Sequence, residues 1–467
     1  MKRFWLVLLS LGLIVAFSTQ AMAVDVKFSG EYYAAGMYLD KTSLKTGTSD
    51  EGTSTAFYFQ RLRLNTDFIV SPGLTLTARA DVMERGWGAN RTNAYVRTSP
   101  ADPAPAIDTM SAGTRAENEN IAFDLLYVTY VSPIGMFKAG YQIDDVWGTV
   151  FGNSSNPKGK LGYFLKTGGL FLGIQTGKDK ELSRSVNNPA GDADKDQSFY
   201  TAFGVYSWKT GEAGLLFKYI KNNQYRNVYG AIPGATDAGF TWDGLVTTPY
   251  VKAKLGPVAL EAQIYYLYGK KSWEGNSAGI PAFIEPNTQD VDLNQLTAYI
   301  DATVDLGMFY VGGTAAYVSG DDPSTLDEQE GGVLGGGLDW NPCLIMFNND
   351  LTYWAGRQYG YNGSSNGGAM SNAYFGQLRV GVRPIDKLDI MASVAYATAD
   401  KTPQAVWDSR EYGYEIDLTA TYKITNNLSY MLGGGYWIVG DYYKGTAAAG
   451  QDVDDNFMVI NKLTLTF

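Results

Sequence analysis

Apolar and polar side chains alternate with a period of two along most of the chain, and this alternation constrains the fold more than any other feature. In residues 56–70 the even positions are mostly apolar, whereas Arg61 and Arg63 occupy odd positions. Residues 74–82 repeat the pattern after a turn at 71–73 that contains Pro and Gly. A period of two places the two sets on opposite faces of a β-strand, and the helical period does not reproduce it. We therefore predict an all-β protein.

The alternating segments are separated by short turns at one end and by long polar loops at the other. This arrangement predicts a transmembrane antiparallel β-barrel of about 18 strands, in a range of roughly 16 to 20, with periplasmic turns and extracellular loops. No plug domain is predicted, because the alternation begins at Val26. The predicted strands after the first three are 121–131, 136–144, 160–167, 170–177, 198–208, 213–221, 245–255, 258–268, 292–306, 308–318, 373–383, 388–399, 411–423, 428–439 and 456–467.

The segment 319–372 is a long stretch that does not read clearly as strand, and we assign it to an extracellular loop. Residues 333–360 within it contain apolar runs such as Leu344-Ile-Met-Phe347. These runs fit either another hairpin of the wall or a loop folded into the lumen, and the sequence leaves both open. The acidic part, 319–332, lacks the spacing of an EF-hand, so a solvated loop is favoured over a calcium site.

The two ends of the chain indicate export to the outer membrane. Residues 1–23 combine Lys2 and Arg3, an apolar stretch and Ala21-Met22-Ala23, which is typical of a cleavable signal peptide. Residues 24–467 then form the barrel. The C-terminal Phe467 ends an alternating strand and resembles the signal that the outer-membrane barrel-assembly machinery reads. That machinery and the lipid of the outer membrane are the expected partners.

The composition agrees with a barrel wall. The chain has 33 Tyr, 54 Gly and an aromatic content of 14%, with a mean hydropathy of -0.17. Tyrosine suits the interface between lipid and water, so outward tyrosines near strand ends are predicted to form two aromatic girdles. The predicted girdle residues are Tyr396, Tyr412, Tyr422, Tyr430 and Tyr436.

The residue types also argue against most kinds of enzymatic and metal-binding site. The chain has no His and a single Cys, Cys343. Barrel hydrolases generally use His as a base or an orienting group, and zinc and haem motifs need His or paired Cys. We therefore predict no enzymatic activity, no cofactor and no metal. The net charge of -11 argues against a nucleic-acid partner.

Charged side chains that alternation directs into the lumen are the candidate functional residues. Basic residues come from three regions of the chain, and acidic residues accompany or oppose them. A basic wall opposite an acidic wall would create a transverse field at a constriction and orient anionic or dipolar solutes. The candidates are Arg61, Arg63, Arg79, Asp81, Arg85, Lys252, Lys254, Asp301, Asp305, Arg379, Arg383, Glu411, Glu415 and Asp417.

The same charges have a second interpretation. A turn centred on Pro72 would place Arg63 opposite Asp81, and the two would neutralise each other across the hairpin. The charges would then stabilise the wall rather than select solutes. Because charges cost little in a wet lumen, the two interpretations are compatible.

In its strands, turns and loops the whole chain resembles Gram-negative outer-membrane porins. A narrower resemblance, to alginate-export-like barrels, is carried by Phe59-Gln-Arg-Leu-Arg-Leu-Asn-Thr-Asp-Phe68 and Gly73-Leu-Thr-Leu-Thr-Ala-Arg-Ala-Asp81. Asp339-Trp-Asn-Pro342 and Leu351-Thr-Tyr-Trp354 are similar to features of related porins. The narrower resemblance implies a conduit for acidic saccharides lined by Arg and Lys. The residues that match it by position and direction are Arg61, Arg63, Arg79 and Arg85; the many inward carboxylates depart from it.

Two functions are expected from these features. The first is passive diffusion of small hydrophilic solutes, anions among them, through a water-filled and charge-lined lumen. The alternative is a structural or partner-housing barrel, such as a sheath or a surface receptor. A homo-oligomer is compatible with either function.

Overall fold

The structure is a computed structural model that describes residues 24–47, 52–88, 121–182, 194–235, 237–281, 288–332, 337–403, 407–446, 448 and 451–467. The predicted signal peptide, 1–23, lies outside the described residues. Eighteen long strands form the framework: β1 Asp25–Leu39, β2 Thr55–Ser71, β3 Leu74–Gly86, β4 Ile121–Ser132, β5 Gly135–Asp144, β6 Asn156–Thr167, β7 Leu170–Lys180, β8 Gln197–Trp208, β9 Gly211–Asn222, β10 Gly239–Leu255, β11 Val258–Glu274, β12 Val291–Asp305, β13 Phe309–Val318, β14 Ala373–Ile385, β15 Leu388–Ala399, β16 Glu411–Lys423, β17 Leu428–Val439 and β18 Asn456–Thr466.

The remaining described elements are short. They are helix α1 (Asn349–Ala355), the 3-10 turns Val150–Gly152, Ser277–Gly279 and Asp441–Lys444, and the two-residue strands Glu328–Gln329, Gln358–Tyr359 and Ser365–Asn366. No helix among the described residues is long and apolar enough to cross a membrane.

The sheet is closed, because each long strand pairs antiparallel with the next and the last pairs with the first. The closing ladder joins Glu31–Leu39 of β1 to Met458–Thr466 of β18. At its end, Gly30 and Phe467 exchange backbone hydrogen bonds of 2.8 and 3.0 Å. None of the eighteen described strands therefore presents an open edge, and the predicted antiparallel barrel of about 18 strands is confirmed.

The two faces of the wall differ as the alternation predicts. Large apolar side chains stay exposed on the outside, and Phe123, Ile174 and Leu378 are 74%, 59% and 69% exposed. Four of the predicted girdle tyrosines, Tyr396, Tyr422, Tyr430 and Tyr436, are also exposed there. A closed sheet with an apolar outer band satisfies its backbone groups internally, which a bilayer requires. The chain is therefore a transmembrane β-barrel of the outer-membrane type.

Most strand ends agree closely with the predicted ones, and three do not. β6 begins at Asn156 rather than at 160, β10 begins at Gly239 rather than at 245, and β11 continues to Glu274 rather than to 268. The end of the β10–β11 hairpin, where Gly239 pairs with Glu274, extends past both neighbouring strands.

A β-bulge in β3 reverses the alternation near the end of that strand that is farther from the Pro72 turn. Met83 has a φ of 53°, and β3 gains one residue relative to β2 at this point. Arg85 therefore pairs with Gln60, which occupies an outward position of β2. The prediction that Arg85 points into the lumen is wrong, because the bulge shifts the alternation by one residue.

A second bulge, in β16, has the same effect on an acidic candidate. Gly413 has a φ of 113°, a conformation that a residue with a Cβ rarely adopts. Glu411 consequently pairs with Thr398, on the outward face of β15, and the expectation that it lines the lumen is wrong. The bulge also turns Tyr412 inward, where it is 6% exposed and packs on Tyr442, so this tyrosine does not belong to a girdle.

The described part of segment 333–360 folds inward and forms no wall hairpin. Asn348 caps α1 by accepting the backbone N–H of Leu351 at 2.8 Å. Trp354 of α1 stacks on Phe59 of β2 with 4.3 Å between ring centroids. The run Ile345-Met346-Phe347 is buried against the same side of the barrel. Inward wall residues of this core are Tyr33, Ala35, Met37, Phe59, Tyr299, Ala316, Val318, Phe375, Ala395, Ala397, Trp437 and Met458.

A second segment, residues 145–155, also folds inward, although it was not predicted from the sequence. Phe151 is fully buried and stacks on Tyr299 at 4.6 Å between ring centroids. The backbone N–H and the hydroxyl of Thr149 donate to Oε1 of Gln263 at 2.7 and 2.6 Å. The two in-folded segments also contact each other, since Phe151 packs on Trp340 with 4.8 Å between ring centroids, and together they narrow the lumen.

The outward face can be tested with a pair of adjacent substitutions in the middle of β7. Ile174→Arg would place a charge against lipid and should lower the free energy of unfolding by about 2–4 kcal/mol. Gln175→Arg adds the same charge to the inward face and should cost much less, because the lumen is wet. Urea unfolding of protein refolded into lipid vesicles measures both. Equal destabilisation by the two variants would contradict the assigned faces.

Candidate functional site

Ion pairs line the inward face of β2 and β3. Arg63 binds Asp81 with two hydrogen bonds, Nε to Oδ1 at 2.8 Å and an Nη to Oδ2 at 2.7 Å. The two residues are also direct cross-strand partners, as the turn at Pro72 predicts. Arg79 pairs in the same way with Asp124 of β4, and Arg61 lies 3.4 Å from Glu84. Asp124 and Glu84 were not predicted, because each lies beside a bulge that shifts the alternation.

A second charged region connects β12, β13 and β14. The guanidinium of Arg379 donates to Asp301 at 2.7 Å, to Thr303 at 2.6 Å and to Thr314 at 2.8 Å. Arg383 lies closer to the short turns, where it is 3.1 Å from Asp389 and 3.5 Å from Asp305. Both predicted arginines are therefore close to the acidic residues that were expected to oppose them from the far wall.

The densest charge cluster was missed by the sequence analysis. Lys158, Lys160 and Lys218 surround Asp144, which accepts hydrogen bonds of 2.8 Å from Lys160 and from Lys218. Lys158 lies 2.7 Å from both Asp145 and Asp179. Lys158 was overlooked because Pro157 and Gly159 weaken the strand pattern at the start of β6. The inward lysines at 160 and 218 were available from alternation alone.

Several inward lysines have no ion pair within the described part of the chain. Lys138 approaches the ring of Tyr127 at 5.5 Å, and Lys462 lies 4.5 Å from the centre of the Tyr33 ring. The Arg61 guanidinium lies 5.1 Å from the same ring, so two cations flank Tyr33. The predicted candidates Lys252 and Lys254 also form no ion pair with a described carboxylate, although the register places Lys252 between Glu212 and Glu261.

Glu415 and Asp417 point inward, but the in-folded loop covers them. Glu415 is 0% exposed, and its two carboxylate oxygens accept the backbone N–H groups of Ile345 at 2.7 Å and Met346 at 2.6 Å. Asp417 is 4% exposed. The expectation that these two carboxylates line an open lumen is wrong, because a loop whose path the alternation does not reveal packs on them.

The acidic loop 319–332 is held by hydrogen bonds within the loop and to its neighbours. Asp322 accepts the Lys401 ammonium at 2.7 Å and the backbone N–H and hydroxyl of Ser324. These hydrogen bonds hold the pKa of the Asp322 carboxyl well below its usual range, and Asp322 in turn raises the pKa of Lys401. Asp321 accepts the backbone N–H of Glu330 at 2.8 Å. The loop therefore has a defined conformation.

These contacts show what the lumen can do chemically. The inward arginines are largely neutralised by carboxylates one or two strands away, whereas some lysines are not. The wall therefore offers polar groups and a few uncompensated cations to a passing solute. One group of described residues has donor atoms close enough to hold a metal ion, namely Cys343, Glu415 and Asp417.

The anchoring of the in-folded loop can be tested with Cys343 as a native reporter. Trp354→Ala removes a stacked ring, and such a loss costs roughly 3–5 kcal/mol of packing. The loop should open more often, and labelling of Cys343 by a water-soluble maleimide should accelerate at least about tenfold, since 1.4 kcal/mol corresponds to a factor of ten. Trp354→Phe keeps a stacking ring and should label almost as slowly as the unchanged protein. Unchanged labelling in Trp354→Ala would show that this ring does not hold the loop.

No protein-family model matches the chain, and no curated protein sequence matches it. Among solved structures it is similar to the outer-membrane protein OpdK of Pseudomonas aeruginosa, with a TM-score of 0.47, 12% identity, and coverage of 95% of this chain and 99% of that chain. It is similar to OccK9 (OpdG) of Pseudomonas aeruginosa, with a TM-score of 0.49, 14% identity, and coverage of 94% and 99%. It is also similar to an anion-selective porin from Comamonas acidovorans, with a TM-score of 0.44, 10% identity, and coverage of 95% and 99%.

Proposed function

We propose that this protein is an outer-membrane channel for the passive diffusion of small hydrophilic solutes. The observation that carries the proposal is the charged inner face of a closed ring of eighteen strands. Barrels of roughly this strand number are wide enough to leave an aqueous channel, whereas smaller barrels are filled by their own side chains.

The partial exposure of the inward charges supports a lumen that contains water. The side chains of Arg63 and Asp124 retain 27% and 25% of their accessible surface. Removing a charge from water costs several kcal/mol per ion even when it is paired. So many inward charges would destabilise a dry barrel, and a hydrated lumen avoids that cost.

The in-folded segments give the channel its constriction. The apolar part of segment 337–372 packs against the inward face of β12–β18 and β1, and against Phe59 of β2. Segment 145–155 packs beside that loop, on β10–β12, and the charge clusters of β2–β9 lie on the remaining wall. A solute would therefore pass between a packed loop and a charged wall, which restricts both its size and its charge.

We infer that the channel prefers anions. The inward lysines support this preference, whereas the arginines that were expected to provide it are paired. The arginines at 63, 79 and 379 are each held by a carboxylate. Lys138 and Lys462 face the lumen without an ion pair to any described residue, so they contribute more net positive potential along the path. Because carboxylates pair with many of its basic residues, this lumen differs from the purely basic conduit that the alginate-export-like resemblance implies.

Conduction is the direct test of the channel. The folded protein, added to a planar lipid bilayer, should produce stepwise conductance, and vesicles that contain it should swell in small sugars. A correctly folded barrel that never conducts would refute the proposal. Co-purification of a protein that fills the lumen would then favour the partner-housing alternative.

Charge selectivity is tested by neutralising the unpaired lysines. The double substitution Lys138→Gln with Lys462→Gln should lower the ratio of anion to cation permeability by about twofold or more, because it removes fixed positive potential from the path. Reversal potentials in a salt gradient measure this ratio. Lys209→Gln removes the same kind of charge from an exposed turn between β8 and β9 and serves as the control. If both changes act equally, the lumen lysines do not set selectivity.

A further inference from the structure

Three groups capable of binding a metal converge where the in-folded loop meets the wall. The Cys343 thiol belongs to the loop, whereas Glu415 and Asp417 are inward residues of β16. One donor atom from each lies within 4.8 Å of the other two. The residues are 3%, 0% and 4% exposed. The cluster is therefore shielded from the channel water that solvates the ion pairs elsewhere.

The carboxylates of this cluster have no positively charged partner. Neither forms an ion pair with a described lysine or arginine, in contrast to Asp81, Asp144 and Asp301. Backbone N–H groups bind both oxygens of Glu415, and Ser393 lies 3.4 Å from Oδ2 of Asp417. Oδ1 of Asp417 is buried and has no hydrogen-bond partner. A buried carboxylate oxygen without a partner is costly, so something should bind it.

The space beside that oxygen is bordered by a glycine and by the Cβ of Leu344, which would lie 3.1 Å from a Cβ at position 435. Gly435 lies on the neighbouring strand β17, opposite Asp417. A Cβ at Gly435 would come within 2.6 Å of Oδ1 of Asp417 and 3.2 Å of Oε1 of Glu415. A side chain at position 435 would therefore fill the gap between the two carboxylates, and glycine leaves that gap open.

We propose that Cys343, Glu415 and Asp417 bind a divalent transition-metal ion of the zinc class. A sulfur ligand with two carboxylates suits zinc, whereas calcium and magnesium prefer oxygen ligands alone. Ligand atoms of a tetrahedral zinc site are about 3.5 Å apart. Donor atoms that lie within 4.8 Å of one another therefore need to approach by at most about 1.3 Å. The Cys343 thiol releases its proton to solvent as the ion enters, and a water molecule carried in with the ion completes the coordination, because the closed cluster is shielded from the channel water.

Neighbouring hydrogen bonds would orient these ligands. Gln377 donates to the carbonyl of Pro342 at 2.7 Å and to the sulfur of Cys343 at 3.9 Å. The backbone N–H groups of Ile345 and Met346 fix the carboxylate of Glu415. Bonds of this kind are usual around metal ligands and strengthen binding. The bound ion would link the loop to β16 and hold the constriction in place, a role that does not depend on which solute passes.

Metal binding to the folded, detergent-solubilised protein tests the proposal. After treatment with a chelator, the protein should bind one zinc ion per chain from ZnCl2 in competition with a chromophoric chelator. Cobalt chloride should give the absorption of a sulfur-bound cobalt ion. Cys343→Ser and Asp417→Asn should each weaken zinc binding at least about tenfold, and Cys343→Ser should abolish the sulfur absorption. Asp67→Asn, which neutralises a lumen carboxylate in β2 away from the cluster, should bind like the unchanged protein.

Two results would overturn the proposal. One is the absence of stoichiometric zinc binding to the folded chain, which would mean that protons alone neutralise the carboxylates. The other is equal zinc affinity in the unchanged protein and in Cys343→Ser, which would place the ion elsewhere. If Asp417→Asn does not fold, as judged by heat-dependent mobility on gels, Cys343→Ser decides the question, because serine preserves the size of the side chain.

Discussion

The structure depends on one requirement, that every backbone donor and acceptor inside a bilayer finds a partner within the protein. A sheet meets it only by closing, and here the closure joins the first strand to the last, ending in the reciprocal bonds of Gly30 and Phe467. Closure then determines the environment of each wall side chain. With no edge left, one set of alternate residues must face lipid and the other must face the lumen, so the pattern of residue types along a strand becomes a pattern of environments.

The same requirement explains where sequence reasoning was sufficient and where it failed. The strand count and most strand ends followed from alternation, because each strand carries its own apolar and polar faces. Arg85, Glu411 and Tyr412 were misplaced because a single bulged residue, near Met83 or Gly413, reverses the face of everything beyond it. The positive φ at Met83 arises in the folded sheet and cannot be predicted from the residue type.

The candidate site was predictable only in part for a different physical reason. Ion pairing between adjacent strands, as in Arg63 with Asp81, follows from register and could be anticipated. The distribution of net charge along the lumen could not be predicted, because it depends on which charges are paired. The covering of Glu415 also could not, since the contact of its carboxylate with the backbone of residues 345 and 346 joins segments about 70 residues apart. Contacts of this kind can be predicted only when the path of the loop through the barrel is known.

The wall nevertheless carries a sequence signal for the in-folded loop. A strand with lipid on one side and water on the other alternates, whereas a strand covered on both faces does not. Residues 393–399 have Val394 and Tyr396 on the outside and only Ala395, Ala397 and Ala399 at the last three inward positions. Small apolar residues facing a supposedly wet lumen mean that something apolar packs there and needs space. The alanines of β15 thus mark the place on the wall where the loop lies, and the ion pairs of β2–β9 mark the part of the wall that it leaves uncovered.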